Sequence, residues 1–130
     1  QTILPKLKSD LLDILLACCN GELERIKIKW HDKKSLCIVL CSKGYPDKFN
    51  KNILIQNLDK IKSNNNEYCY HAGTIENNNK TYAVGGRVLN FVCLSEDFLT
   101  SRNQIFNSIK LLDWDGGFFR KDIGYKVIDK

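Results

Sequence analysis

Gly85-Gly86-Arg87-Val88-Leu89-Asn90-Phe91-Val92-Cys93-Leu94-Ser95 is the stretch on which the fold turns. Two glycines break the chain, and the run from Arg87 to Leu94 then reads as a strand. Ser95 follows as the expected cap of a long helix over roughly 96–112, whose Phe98, Leu99, Ile105, Phe106, Ile109 and Leu112 recur at helical spacing. Upstream, the apolar run Ser35 to Cys41 reads as a second strand. Ile26, Ile28 and Trp30 alternate with Arg25, Lys27 and Lys29, the period of a half-buried strand, so the two segments are expected to form a hairpin across His31 to Lys34.

The remainder is a mixture of the same kinds of element. Ser9 is read as the cap of a helix over 10–19, with Leu11, Leu12, Leu15, Leu16 and Cys19 on one broad face and Asn20-Gly21 closing it. Ser42 to Asp47 reads as a loop, Ile53 to Ile55 as a short strand and Leu58 to Ile61 as one helical turn. Strands at 67–74 and 81–84 flank a polar hairpin tip, Glu76 to Lys80, and Asn64 to Asn66 read as another loop tip. The expectation is an α+β domain in which an antiparallel sheet or partial barrel carries the 96–112 helix on one side. Phe98, Ile105, Ile109, Val88, Val92, Ile38 and Leu40 should be buried.

With 130 residues, 43% of them hydrophobic, the chain can bury one core. The net charge of +5 invites a nucleic-acid reading. However, 16 of the 20 basic residues are Lys, scattered over several elements, with no arginine-rich stripe and no interleaved aromatic platform. Together with 13 Asn and 13 Ile, the lysines reflect an AT-rich coding bias, and the charge reads as a solvated surface. No nucleic acid and no membrane are expected as partners. The six cysteines lack metal-ligand spacing: Cys37 and Cys41 on one strand would stand about 13 Å apart, and Cys69 and His71 have no second close pair. Buried free thiols in a reducing cytoplasm are the reading.

Four segments carry a resemblance: Leu7-Lys8-Ser9-Asp10-Leu11, His71-Ala72-Gly73-Thr74, Gly85-Gly86-Arg87-Val88-Leu89 and Arg120-Lys121-Asp122-Ile123-Gly124-Tyr125. In this order and at this spacing the chain, from Gln1 to about Ile128, resembles the C-terminal part of the phosphoribosylamine-glycine ligase family, whose members are ATP-grasp enzymes. The resemblance implies a barrel-sandwich-like C-terminal domain and an activity joining glycine to 5-phosphoribosylamine through a glycyl phosphate in purine biosynthesis. It further implies ATP with Mg or Mn bound by lobes upstream of Gln1. In the family a metal-binding glutamate lies in a Gly-Asp-Pro-Glu-Thr-Gln stretch whose last residue would match Gln1. The chain also has no methionine. A fragment is therefore expected, with residues 1–24 ending the ATP-grasp domain and its linking helix and residues 25–130 forming the C-terminal domain. Two positions depart from the family pattern: Tyr125 stands where tryptophan is usual, and Lys43 replaces a small residue.

The candidate substrate-binding residues are Lys8, Ser9, Asp10, Gly44, Tyr45, Pro46, Gly85, Gly86 and Arg87. Lys8 to Asp10 precede a helix N-terminus, where free N–H groups favour an anion, although an ordinary cap uses the same residues. Gly85-Gly86-Arg87 offers close backbone approach and a guanidinium fork, or simply a tight turn before a strand. A lysine-rich chain that spends only four arginines gives Arg87 weight, because the fork does what an ammonium does not. Arg120 to Gly124 reads as an ion-paired structural loop. Neither His71 nor His31 has the partners of a catalytic triad, and Trp30 and Trp114 read as core or interface anchors. Two other function classes are a basic nucleic-acid module and a carrier domain presenting Lys80 near a hairpin tip.

Overall fold

The computed structural model describes residues 1–61 and 66–128. Among the described residues, seven strands form two antiparallel sheets. The larger has the order β3-β6-β1-β7 and the smaller β2-β5-β4. The strands are β1 (Lys34–Ser42), β2 (Ile53–Ile55), β3 (Glu67–His71), β4 (Thr74–Asn77), β5 (Lys80–Ala83), β6 (Arg87–Ser95) and β7 (Gly117–Phe118); the helices are α1 (Leu11–Cys19), α2 (Phe98–Ile109) and the short α3 (Tyr125–Ile128). This is the α+β class expected, with the antiparallel strands divided between two sheets.

The centre of the larger sheet is the ladder of β1 and β6, running from Lys34 opposite Ser95 to Cys41 opposite Arg87. Alternation on β1 sends Leu36, Ile38, Leu40 and Ser42 inward, each buried, while Ser35, Cys37, Val39 and Cys41 face the other way. Strand β6 is flanked by β1 and β3 and is buried from Val88 to Leu94 on both faces. Helix α2 lies over the inner face and sinks Ile105 among Leu36, Ile38, Leu89, Phe91 and Cys93. Ile38, Leu40, Val88, Val92 and Ile105 are buried as expected. Phe98 and Ile109 are only half-buried, because they sit at the two ends of a helix that crosses the sheet and pack against the core from its margin.

Both expected helix caps fall one or two residues late. Asp10, not Ser9, caps α1: its carboxylate accepts from the N–H groups of Leu12 (2.7 Å) and Asp13 (3.4 Å). Likewise Asp97, not Ser95, caps α2, accepting from the Thr100 N–H at 2.7 Å, so the helix runs 98–109 rather than 96–112. The serines serve elsewhere. Ser9 Oγ accepts from the Lys29 N–H (2.7 Å), and Ser95 shares a hydrogen bond with Ser101 (2.7 Å). The other end of α1 closes as read, with Gly21 in the left-handed region at φ 70° and Glu22 N–H bonded to Ala17 O.

The hairpin expected between 26–30 and 35–41 does not form. The N-terminal segment captures the backbone of 29–31 instead. Leu7 bridges Trp30, the N–H groups of Lys8 and Ser9 donate to Lys29 O, and His31 N–H donates to Lys6 O. The strand expected over 67–74 also divides. At Ala72-Gly73 the chain leaves β3 in the larger sheet and enters β4 in the smaller one, where the β4–β5 turn is made by Asn78 and Asn79, both at positive φ. The short strand at 53–55 and a single 3-10 turn at Leu58–Lys60 stand where read, whereas Asn64 and Asn65 of the other expected loop tip lie outside the described residues.

The N-terminal thirty residues add little to this core. Among them Ala17 alone is buried, while Leu12 is 63% exposed and Leu11, Leu15 and Leu16 are exposed beside it. Stability is therefore concentrated in the β1–β6–α2 layers. Ile38→Ala is expected to cost about 2–5 kcal/mol in urea unfolding, because a fully buried side chain leaves a cavity, whereas Leu12→Ala should change stability by less than about 0.5 kcal/mol. Equal effects would place the core elsewhere.

Candidate functional site

Where β1 ends and β6 begins, three backbone segments interlock. The register slips between Leu40 and Cys41: Leu40 pairs with Leu89 and Cys41 with Arg87, so Val88 is the extra residue of a β-bulge. Val88 turns wholly into the core and Arg87 is exposed. On one side Ser42 holds the glycine turn, its N–H donating to Gly86 O (2.8 Å) and its Oγ donating to Gly85 O (2.8 Å). On the other, Gly73 N–H donates to Arg87 O (2.9 Å), and Gly73 O accepts from the N–H groups of Val84 (2.8 Å) and Gly85 (3.0 Å).

The glycines here are required by space. A Cβ on Gly73 would meet Arg87 O and Gly85 Cα at 2.6 Å, and a Cβ on Gly86 would run into the Tyr45 ring. Gly44 needs its φ of 99°, and the Tyr45-Pro46 bond that follows is cis. Tyr45 in turn stacks edge-on with Phe49 at 6.5 Å. The structure thus brings Gly44-Tyr45-Pro46 against Gly85-Gly86-Arg87.

Lys8, Ser9 and Asp10 are not part of this assembly. Their hydrogen bonds run to Lys29 and into the first turn of α1, and residues Thr2 to Lys6 just before them pack by Lys34 and Ser35 at the opposite end of β1, a strand about 26 Å long. Sequence reading passed over Ser42 and Gly73 as site residues; the glycine interrupting a strand pattern was the signal for Gly73.

Beside the turn lies an apolar cavity of about 370 Å³ between Cys37, Val39 and Cys41 of β1, Tyr45 and Pro46, and Phe119. Burial pushes the Cys41 thiol up, offset in part by the charge of the Arg87 guanidinium. Arg120, on the cavity wall, is engaged: its Nε and Nη2 reach the Asp122 carboxylate at 3.0 and 2.6 Å. The hydrogen bonds and charge of Asp122 hold the Arg120 guanidinium above its ordinary pKa, and the reciprocal bonds from Arg120 hold the Asp122 carboxyl low. The ion-paired loop read from sequence is what the structure contains. Arg87, by contrast, is exposed at the first position of β6, and its backbone carbonyl is held by Gly73 N–H.

Other titratable groups of the larger sheet are hydrogen-bonded or buried. His71 Nδ1 lies 3.0 Å from Thr74 Oγ1 in an exposed pair. Burial pushes the thiols of Cys69 and Cys93 up to about 11, Cys93 also donating from Sγ to Gln104 Oε1 at 2.8 Å. Among the described residues no three His, Cys, Asp or Glu side chains converge as metal ligands would.

Residues 35–126 match the family described as "Phosphoribosylglycinamide synthetase, C domain". The phosphoribosylamine–glycine ligase of Caldanaerobacter subterraneus is 37% identical over 123 residues, which is 95% of this chain and 29% of that protein. A bifunctional purine biosynthetic protein of Dictyostelium discoideum is 36% identical over 130 residues, 99% of this chain and 16% of its own length. The chain therefore spans less than a third of these curated relatives. A crystal structure of phosphoribosylamine–glycine ligase from Thermotoga maritima shares the fold with a TM-score of 0.65 at 21% identity, over 85% of this chain and 27% of that one.

The thiol environments predict a labelling order. With iodoacetamide at pH 8, the exposed Cys18 and Cys19 should be modified first. Cys69 and Cys93, with about one thiol in a thousand ionised at that pH, should stay unmodified until the protein unfolds. Early labelling of Cys93 by peptide mass mapping would contradict the burial described.

Proposed function

The chain belongs to the phosphoribosylglycinamide synthetase C-domain family, and from that premise we propose that it is the C-terminal domain of an ATP-dependent ligase of purine biosynthesis, acting in the cytoplasm. The reaction joins glycine to 5-phosphoribosylamine and yields glycinamide ribonucleotide, ADP and phosphate. The match over residues 35–126 carries this reading. The names of relatives that align over nearly the whole chain support it.

In this reading the domain's part is to hold the acceptor. Its ribose phosphate is a dianion, and the exposed Arg87 fork on a rigid glycine turn is the feature best suited to it. Gly44, Tyr45 and Pro46 wall the same edge. ATP and its Mg or Mn are assigned to the upstream lobes of the full-length ligase.

Residues 1–24 are proposed to complete the preceding ATP-grasp lobe and residues 25–130 to form the C-terminal domain proper. The open leucine face of α1 supports this division: a nine-residue helix is marginal in water unless its apolar stripe is covered.

Two outcomes follow. The 130-residue chain alone should neither hydrolyse ATP nor form glycinamide ribonucleotide; turnover by the isolated chain would overturn the division of labour. In the full-length ligase containing this chain, Arg87→Ala should raise the Michaelis constant for phosphoribosylamine by a factor worth on the order of 1.5–3 kcal/mol and leave that for ATP unchanged. Arg120→Ala should leave both constants in place, since its charge is spent on Asp122. The reverse pattern in steady-state kinetics would exchange the roles of the two arginines.

A further inference from the structure

Resting on the reading of Arg87 as the acceptor's phosphate ligand, we infer that Ser42 is a positioning residue for phosphoribosylamine, acting through the Gly85–Arg87 turn without touching the substrate. Ser42 is 2% exposed and points inward from the last position of β1. It grips two successive carbonyls, Gly85 O through its hydroxyl and Gly86 O through its N–H, both at 2.8 Å. The next residue in the chain is Arg87. Its carbonyl is fixed from the other side by Gly73 N–H, and the extra residue Val88 immediately after it is locked into the core. Arg87 thus leaves a backbone clamped on three sides, and its direction is set by these clamps.

The hydroxyl is the clamp that a side-chain change can release. The N–H contact of Ser42 and the Gly73 contacts belong to the backbone and are retained in Ser42→Ala. Without the hydroxyl, the half-buried Gly85 carbonyl loses this partner, and two consecutive glycines provide little resistance to rotation of the turn. Tyr45 braces the same turn from outside by filling the space over the Gly86 Cα. A guanidinium fork binds a phosphate through two parallel hydrogen bonds, so a small rotation of its base weakens phosphate binding and leaves distant sites untouched.

The test is a double-mutant cycle in the full-length ligase containing this chain, with thermal unfolding of each variant measured alongside. Ser42→Ala is expected to raise the Michaelis constant for phosphoribosylamine about fivefold, with that for ATP unchanged. In an Arg87→Ala background it should have no further effect, because the group it positions is gone. Gly86→Ala, which disturbs the turn from the Tyr45 side, should behave in the same way and serves as the readout if Ser42→Ala does not fold. If Arg87→Ala alone leaves phosphoribosylamine affinity intact, the underlying reading of Arg87 fails. If Arg87→Ala weakens affinity while the Ser42 and Gly86 changes are silent, or add to it in full, the positioning role is wrong.

Discussion

The antiparallel pairing of β1 with β6 is the constraint from which the rest of the structure follows. Each strand is nine residues long. Their inner faces supply Leu36, Ile38, Leu40, Leu89, Phe91 and Cys93 to one core that α2 closes through Ile105. A one-residue slip along this ladder would send the inner leucines to the opposite face, so the register is strongly specified by burial. The only irregularity is at its end, at the Val88 bulge, and that is where the candidate site lies.

A bulge here has a mechanical consequence. In a regular strand, neighbouring side chains alternate between faces. At the bulge the apolar Val88 takes the core position and Arg87 is released to solvent at the strand's first residue. The small side chains around it serve backbone contact: Gly73 and Gly86 each stand where a Cβ would strike another segment. Rigidity is thereby built from carbonyl and N–H contacts, which leaves the arginine as the one long side chain projecting from the turn.

The N-terminal thirty residues follow a different logic. Their backbone is satisfied through Leu7, Lys8, Ser9, Lys29 and His31, and both ends of α1 are capped, yet the leucines on α1 are exposed. Polar satisfaction without apolar burial sets this segment apart from the β1–β6–α2 core. The hydrogen bonds of Lys8, Ser9 and Asp10 run within this N-terminal segment, to Lys29 and the first turn of α1, and not to the Gly85-Gly86-Arg87 turn.

Apolar patterning located β1, β2, β6 and the bodies of both longer helices, because each carries an apolar set that is written directly into Ser35–Cys41, Ile53–Ile55, Arg87–Leu94 and the leucines and isoleucines of the helices. The ion pair of Arg120 with Asp122 was legible for a similar reason, the partners being two residues apart. Tertiary structure decided what depends on distant competition. Ser9 and Ser95 are both good caps by type. Each is drawn to another partner, and the following aspartates, Asp10 and Asp97, take the helix ends. Ile26, Ile28 and Trp30 alternate as a strand does, but the backbone at 29–31 is claimed by Lys6 to Ser9, so no hairpin forms. Local sequence specifies which groups want a partner. Which partner they obtain, and that Ser42, Gly73 and Tyr45 should meet around one arginine, is settled only when β1 and β6 bring residues some forty positions apart into contact.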